Sequence, residues 1–283
     1  MLACNHPNSF LDGIILTTLF EQNIYTLARG DAFRKHWHGK VLRWIHLLPV
    51  YCTSEGVENL EHNYSTFEAC KEVFRQKGIV IIFSEGRCIN EWHLRPLKKG
   101  TARLATSAWE DGLDLTVLPV GFNYNRFRNF GKNVIINFGK PLDRSKVVFQ
   151  KTDGRMFLTF NEELKAGLQE LIYEMNTADD ETIRRATSIP IHPLKRMVLF
   201  IPAVAGFLLH APLYFPAKAI TKHYFDNDHF DSGIVSLLLL AYPFYLLLLG
   251  MLVAILANWY FALAAVLLLP FLAWSCVQLK RQN

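Results

Sequence analysis

The sequence predicts an α/β fold, with a mixed, largely parallel sheet flanked by helices and a transmembrane helical hairpin at the C-terminus. Two observations carry this prediction. Strand-like and helix-like segments alternate over the first half of the chain. Between Ser232 and Leu279 the chain has no Lys, Arg, Asp or Glu, although 19% of all residues are charged. The expected organisation is an α/β domain over 1–176, a polar linker over 177–197, an interfacial or re-entrant apolar segment over 198–222 and a hairpin over 233–279.

Each element of the α/β domain follows from hydrophobic spacing and end signals. Ile79–Phe83 is a continuous apolar run, as expected for a strand that is covered on both faces. Asp31 and Asp153 are expected to cap helices that run to about Leu47 and Met175. The other predicted elements are strands at Asn23–Ala28, Leu115–Val120 and Val134–Phe138, a helix through Leu60, Tyr64, Phe67 and Phe74 that stops at Gly78, and a helix over Gly100–Trp109.

The C-terminal part changes from a polar to an apolar composition. Residues 176–185 are polar and predict a linker, whereas 198–217 is apolar but contains Pro202, Pro212 and Pro216. Three prolines disfavour a simple spanning helix, so an interfacial or re-entrant segment is expected, with a kinked span as the alternative. Ile234–Leu256 and Trp259–Val277 are each long enough to cross a hydrocarbon core of about 30 Å.

The charges beside these spans predict an orientation. Lys218 and Lys222 precede the first span, Lys280 and Arg281 follow the second, and the turn between the spans is uncharged. By the positive-inside rule, we expect an integral membrane protein with both ends of the hairpin, and the α/β domain, on the cytoplasmic side.

Composition narrows the classes of partner. The net charge of +5 suits an anionic phospholipid surface or a phosphorylated substrate. Zinc-finger spacing, RNA-binding aromatic signatures and basic heptad helices are lacking, so nucleic acid is not an expected partner. The five cysteines, which include Cys52, form no C-x-x-C pair and predict reduced thiols rather than disulfides.

The first chemical motif is a polar turn in which His6 and Asp12 lie six positions apart. A neutral imidazole can take a proton from a hydroxyl group. A neighbouring carboxylate can fix its tautomer and stabilise the imidazolium that forms. We therefore predict His6 and Asp12 as catalytic residues, although a single His near an Asp is most often structural.

Three further blocks follow in order. Ala28–Arg34 and Phe83–Arg87 each end a predicted strand, at the edge where open α/β sheets bind ligands. Glu85 and Gly86 predict a tight turn, and the cations Arg87, Arg95, Lys98 and Lys99 together with a helix beginning at Gly100 could cradle a phosphate. The fourth block, Val117–Gly121, contains Pro119, which could shape the wall of an acyl pocket. The structural alternatives are a solvated charged face for the cations and an edge-strand feature for Pro119.

Other candidates fit worse. His36 and His38 point apart on a helix, so they are not expected to share a metal. A loop cluster beside the membrane is expected to be a hydrated polar loop; it comprises His223, Asp226, Asp228, His229 and Asp231. Ser9 and Ser84 lack a nucleophile elbow. No metal and no cofactor are therefore expected.

Taken together and in order, the four blocks resemble the glycerolipid acyltransferase family, which includes glycerol-3-phosphate and 1-acylglycerol-3-phosphate acyltransferases. The resemblance runs from Leu2 to about Gly139. It implies that His6 is the general base, that Asp12 orients it, and that the second and third blocks bind the phosphate of the acceptor. The binding residues that it implies are Arg29, Gly30, Phe33, Glu85, Gly86 and Pro119.

The implied reaction moves an acyl group from a thioester, acyl-CoA or acyl carrier protein, to a hydroxyl of glycerol 3-phosphate or lysophosphatidic acid in phospholipid synthesis. The alternatives are a hydrolase of thioesters or lipids that uses the same His/Asp pair, and a non-catalytic membrane scaffold that binds lipid. The chain departs from the family in having five residues between His6 and Asp12, Ser84 in place of proline, and Cys88 where an arginine is common. Because family members have more chain before the His, the N-terminus is expected to be truncated.

Overall fold

The computed structural model describes residues 1–51, 62–148, 153–175 and 180–280. The chain divides into a sheet unit, Met1–Asn123 with Ile136–Thr177, and a helical unit, Tyr124–Ile135 with Ala178–Asn283. The strands are β1 Leu2–Cys4, β2 Ile24–Arg29, β3 Leu47–Val50, β4 Ile79–Phe83, β5 Leu118–Tyr124 and β6 Val134–Phe138. The helices are α1 Phe10–Thr17, α2 His36–Trp44, α3 His62–Arg75, α4 Lys99–Glu110, α5 Arg144–Val148, α6 Asp153–Gln169, α7 Asp180–Thr187, α8 Pro193–Tyr224, α9 Phe230–Leu256 and α10 Trp259–Lys280.

The described residues form a six-stranded sheet in the order β3-β2-β4-β1-β5-β6. β1 lies parallel between β4 and β5, and β2 lies parallel between β3 and β4. β5 and β6 form a hairpin, in which Gly139 N–H donates to Pro119 O and Asn125 N–H donates to Asn133 O. Since the partner numbers run in opposite directions, this last pair is antiparallel. The predicted mixed, largely parallel sheet is confirmed.

The side chains of the inner strands alternate between two covered faces. On one face Ala3, Val80 and Ile82 join a buried core with side chains of α3, α4 and α6. On the other face α1 packs so closely that a β-carbon at Gly13 would lie 3.4 Å from Thr26 and 4.0 Å from Phe83. The apolar run of β4 is therefore explained by burial on both sides.

The order of connections places α1 and α2 in the same layer. The connections β1–α1–β2 and β2–α2–β3 both move toward the β3 edge of the sheet, and right-handed crossovers moving in one direction put their helices on one face. The connections through α3 and α4 move the opposite way, and these helices lie on the face of the buried core. The turn after β1 thus enters the layer of α1 and α2.

The structure differs from the sequence prediction after β2. Asp31 does not cap a long helix: it lies in a 3₁₀ turn, Gly30–Phe33, and its carboxylate pairs with Arg29 at 2.6 Å. The helix begins only at His36 and ends at Trp44, and Leu47, its expected end, is the first residue of strand β3. Pro49 is tolerated there because β3 is an edge strand. Cys52, Leu60 and Arg281 lie outside the described residues.

The segment predicted as a polar linker contains regular structure. Residues 176–179 lie outside the described part, but α7 follows directly, and its Thr187 carbonyl accepts a hydrogen bond from Asn133 Nδ2 at 3.0 Å.

The polar loop after α8 is not uniformly hydrated. Asp231 is buried and paired with Lys132, and Asp226 pairs with Arg128 at 2.8 Å. A buried carboxylate needs such a partner because desolvation alone would disfavour its charge.

Within the described residues, three helices are long and apolar enough to cross a membrane: α8, α9 and α10. The prolines of the 198–222 segment lie inside α8, which runs unbroken from Pro193 to Tyr224. This favours the kinked span over a re-entrant turn. If all three helices cross, the chain before α8 and the chain after α10 lie on opposite sides of the membrane. The two ends of a hairpin would lie on the same side. Basic residues occur at both ends of α8, so the orientation stays a prediction.

The packing of α8 on α10 depends on Gly206. A β-carbon there would collide with the carbonyl group of Leu272 on α10. We expect Gly206→Ala to lower the unfolding free energy of the detergent-solubilised protein by about 1–3 kcal/mol, because overpacking against backbone must displace a helix. Gly250→Ala is the matched control: its methyl would meet only the end of the Val266 side chain at 2.8 Å. Equal unfolding midpoints for the two variants would contradict this packing.

Candidate active site

His6 and Asp12 form a hydrogen-bonded pair after β1. His6 Nδ1 lies 2.9 Å from Asp12 Oδ2, and the Asp12 side chain is fully buried while that of His6 is 17% exposed. The backbone N–H of Asn8 donates to the same Oδ2 at 2.8 Å. Because the Asp12 carboxylate accepts hydrogen bonds both from Asn8 N–H and from His6 Nδ1–H, the lone pair of the neutral imidazole is on Nε2.

The local sequence folds the turn so that these two side chains meet. Asn5, directly after β1, forms two hydrogen bonds with β5. Its Nδ2 donates to Phe122 O at 3.1 Å, and its Oδ1 accepts from Phe122 N–H at 2.8 Å. Ser9 has φ 55°, which turns the chain sharply into α1. Because α1 begins at Phe10, Asp12 lies in its first turn, where a carboxylate is favoured by the helix dipole.

Glu85 joins the third block to this turn. Its Oε2 accepts from the backbone N–H of His6 at 2.6 Å, and its Oε1 accepts from the backbone N–H of Arg95 at 2.8 Å. Burial raises the pKa of Glu85, and the two backbone donors offset part of that effect. The carboxylate therefore serves as a clamp between two loops.

Stacking on Phe83 also positions the imidazole of His6. The ring of Phe83, the last residue of β4, stacks on the His6 ring with centroids 3.9 Å apart and planes 15° apart. Phe83 covers a face of the ring and Asp12 holds Nδ1, so the ring has a fixed plane. In a partly exposed ring with a fixed plane, Nε2 can accept a proton from a hydroxyl group bound beside it.

The cations of the third block differ in whether their side chains are paired or exposed. The Arg95 guanidinium pairs with Glu91 at 3.1 Å. Gly86 has φ 65°, and a β-carbon there would lie 2.9 Å from Cγ of Lys98. The side chains of Arg87, Lys98 and Lys99 are exposed. Arg87 and the two lysines are the cations best placed to meet an anion in solution.

The second block lies farther along the sheet. Arg29 ends β2, which is separated from β1 by β4. Gly30 contacts the ring of Tyr51 so closely that a β-carbon would collide with it. Phe33 is buried, with the Arg43 guanidinium 5.6 Å from its ring centroid. Gly30 and Phe33 therefore shape this strand end, and the Arg29 side chain is the exposed group of the block.

Pro119 does not face the His6 turn. It pairs with Ala3 in the sheet and packs on α6, where a β-carbon at Gly167 would lie 3.1 Å from its Cγ. Ala3 belongs to the core of the α4–α6 face, whereas His6 stacks on Phe83 on the α1 face. Pro119 thus packs within the sheet, and its role in an acyl pocket stays a prediction.

Sequence reasoning missed several residues that build the site. Asn5, Asn8 and Phe83 hold the turn and the ring, and Cys88 accepts a hydrogen bond from Ser9 N–H through its Sγ at 2.9 Å. Asn5 directly follows a strand, which is the one signal that could have singled it out. Across the described ranges, no group of three or more His, Cys, Asp or Glu side chains is arranged to hold a metal ion.

Glu85→Gln tests the clamp. An amide has only one oxygen, so its NH₂ group would face the backbone N–H of either His6 or Arg95. We expect a loss of about 1–3 kcal/mol in unfolding free energy, because one buried donor is left without an acceptor. Chemical denaturation checks this. Exposed Glu110→Gln is the control, and a Glu85→Gln variant as stable as that control would contradict the clamp.

Comparison with known proteins gives one match. No curated protein and no solved structure matches the chain significantly. Residues 1–123 match the model of the family described as Acyltransferase. This region contains β1 to β5 up to Asn123, and with them the His6–Asp12 pair and the Glu85 clamp. The match supports an acyltransferase.

Proposed function

We propose that the protein transfers a fatty acyl group from a thioester, acyl-CoA or acyl carrier protein, to a hydroxyl of glycerol 3-phosphate or lysophosphatidic acid in phospholipid synthesis. The observation that carries this proposal is the fixed His6–Asp12 pair, with a partly exposed imidazole, inside the region that matches an acyltransferase family. The candidate membrane helices support a lipid substrate or product.

The proposed step begins with His6. Nε2 removes the proton from the acceptor hydroxyl, and the oxygen forms a bond to the thioester carbonyl carbon. The tetrahedral intermediate then collapses, the carbon–sulfur bond breaks, and the imidazolium returns its proton to the leaving thiolate. Asp12, buried and already hydrogen-bonded to Nδ1, stabilises the positive charge on the ring between these two proton transfers.

The acceptor phosphate is assigned to the third block. Arg87 and Lys98 lie on the loop that Glu85 clamps to the backbone of His6, Lys99 begins α4 directly after it, and all three side chains are exposed. A phosphate held there would be a short distance from the catalytic turn. Arg95 contributes its backbone N–H to the clamp, and Arg29 on the exposed end of β2 is the candidate cation of the second block.

The experiment is an acyl-transfer assay on the full chain in lipid vesicles, with both acceptors and both donors. We expect thiol release that depends on the acceptor, together with the acylated acceptor as product. The double variant Lys98→Gln/Lys99→Gln should raise KM for the phosphorylated acceptor with a smaller effect on kcat. Lys146→Gln/Lys165→Gln, which changes two exposed lysines elsewhere in the sheet unit, is the matched control.

Two outcomes would replace the proposal. Release of free fatty acid without an acylated acceptor would assign the same His/Asp pair to a hydrolase. Binding of phospholipid without release of thiol from any donor would leave a membrane scaffold.

A further inference from the structure

The helix α2 presents its apolar side to solvent. Trp37, Val41 and Trp44 are 65%, 50% and 81% exposed, and Ile45 follows on the same side. The spacing of three and four residues puts them on one stripe of the helix. Few residues of α2 are covered by the sheet unit: Gly39 is buried, and Leu42 is half-buried. A surface helix of a globular domain has the opposite pattern, so this face is built to meet an apolar partner.

Helix α1 extends the same surface. Phe10 and Ile14, four residues apart, are exposed while Leu11 and Leu16 are buried. Because α1 and α2 lie in one layer of the sheet unit, their exposed apolar side chains belong to one face of it. We call this face the α1–α2 surface, and it comprises Phe10, Ile14, Trp37, Val41, Trp44 and Ile45.

The charges beside the α1–α2 surface indicate the chemistry of its partner. Arg34, Lys35, Lys40 and Arg43 are exposed, and the one acidic residue between Arg29 and Trp44 is Asp31, which already pairs with Arg29. Tryptophan side chains flanked by lysine and arginine are typical of a helix that lies in the interface of an anionic bilayer. A basic rim would be an unfavourable neighbour for a second copy of itself, because the same cations would meet.

We propose that the α1–α2 surface docks the sheet unit onto an anionic phospholipid bilayer, in addition to any anchoring by α8–α10. Trp37, Val41 and Trp44 enter the interface, and Lys35 and Lys40 meet lipid phosphates. This docking turns the layer that begins at the His6 turn toward the membrane. A substrate that resides in the bilayer can then reach Nε2 without leaving the lipid phase completely.

The test measures the depth of one residue of the full chain in vesicles. Val41→Cys carries an environment-sensitive fluorophore, and the vesicles contain lipids with a nitroxide quencher in the acyl chain. Leu158→Cys is the matched control, since Leu158 is an exposed apolar residue (61%) of α6 on the opposite face. Cys52, Cys88 and Cys276 are replaced by serine, and the fully buried Cys4 and Cys70 are kept. Variants with the circular dichroism and unfolding midpoint of the parent are compared.

We expect several-fold stronger quenching at position 41 than at position 158 in anionic vesicles, and weaker quenching at position 41 in zwitterionic vesicles. Equal, weak quenching at both positions would overturn the proposal. A label at position 41 that is shielded from water but not quenched by the lipids would also overturn it, because protein would then cover the surface. Unchanged quenching in zwitterionic vesicles would overturn the electrostatic part.

A second variant keeps the test independent of labelling and of the assigned reaction. Trp37→Gln/Trp44→Gln removes the two largest apolar groups of the surface at exposed positions, so the fold should persist. Protection of backbone amides of α2 from hydrogen exchange should increase when the full chain is moved from detergent into anionic vesicles, and the double variant should lose this increase. No difference in exchange between the parent and the double variant would contradict docking.

Discussion

His6→Ala is expected to lower kcat for acyl transfer by about 10²–10⁴-fold, the range for loss of a general base. In the proposed reaction Nε2 accepts the hydroxyl proton, and the ring that carries it is held by Asp12 and Phe83. Alanine removes the base without adding bulk, so substrate binding should change less than the rate. The measurement is kcat and KM with the acceptor varied, on the full chain in vesicles.

His93→Ala is the control for this substitution, because His93 is an exposed histidine of the same sheet unit. Circular dichroism and the unfolding midpoint establish that both variants are folded. A folded His6→Ala protein that transfers acyl groups at the parent's rate would show that another group removes the proton.

Asp12→Asn is the second large effect, and the structure predicts how it acts. Asn8 N–H and His6 Nδ1–H both donate to Oδ2, so the amide of asparagine should keep its oxygen at that position. The tautomer of His6 is then preserved, and what is lost is the negative charge that stabilises the imidazolium. We expect kcat to fall by about 10²–10⁴-fold with little change in KM.

Asp12→Ala should be more damaging than Asp12→Asn. It leaves the buried Asn8 N–H without this acceptor, which adds a loss of about 1–3 kcal/mol in stability. Asp114→Asn, at an exposed aspartate of the sheet unit, is the control. If Asp12→Asn kept the parent's kcat, the carboxylate charge would have no part in the reaction.

The sheet was predictable where burial alone decides the sequence. β4 is apolar at every position because both its faces are covered, and its bounds were predicted correctly. β3 was missed because Leu47–Val50 continues the apolar pattern of the preceding helix and contains a proline, and only its place at the sheet edge explains it. The three prolines of α8 were expected to break a helix, but α8 packs closely with α10 at Gly206 and stays continuous.

The pairing of His6 with Asp12 was predictable from the sequence, and the rest of the site geometry was less so. His6 and Asp12 are near in sequence, and one turn brings them together. Glu85 lies 79 positions from His6, so its clamp on the His6 backbone depends on the parallel pairing of β1 with β4, which no local pattern reveals. Pro119 was predicted to shape an acyl pocket because its block ends a strand, but the side on which its side chain packs depends on register, which the sequence does not reveal.

Acyl transfer by His6 is measured through the products that the parent and His6→Ala form in the same vesicles with the acceptor in excess. The measurement is the amount of acylated acceptor formed for each thiol released from the donor. We expect equal amounts for the parent and a parallel loss of both in His6→Ala. Thiol release by the parent that yields free fatty acid, or acylated acceptor formed equally well by His6→Ala, would contradict it.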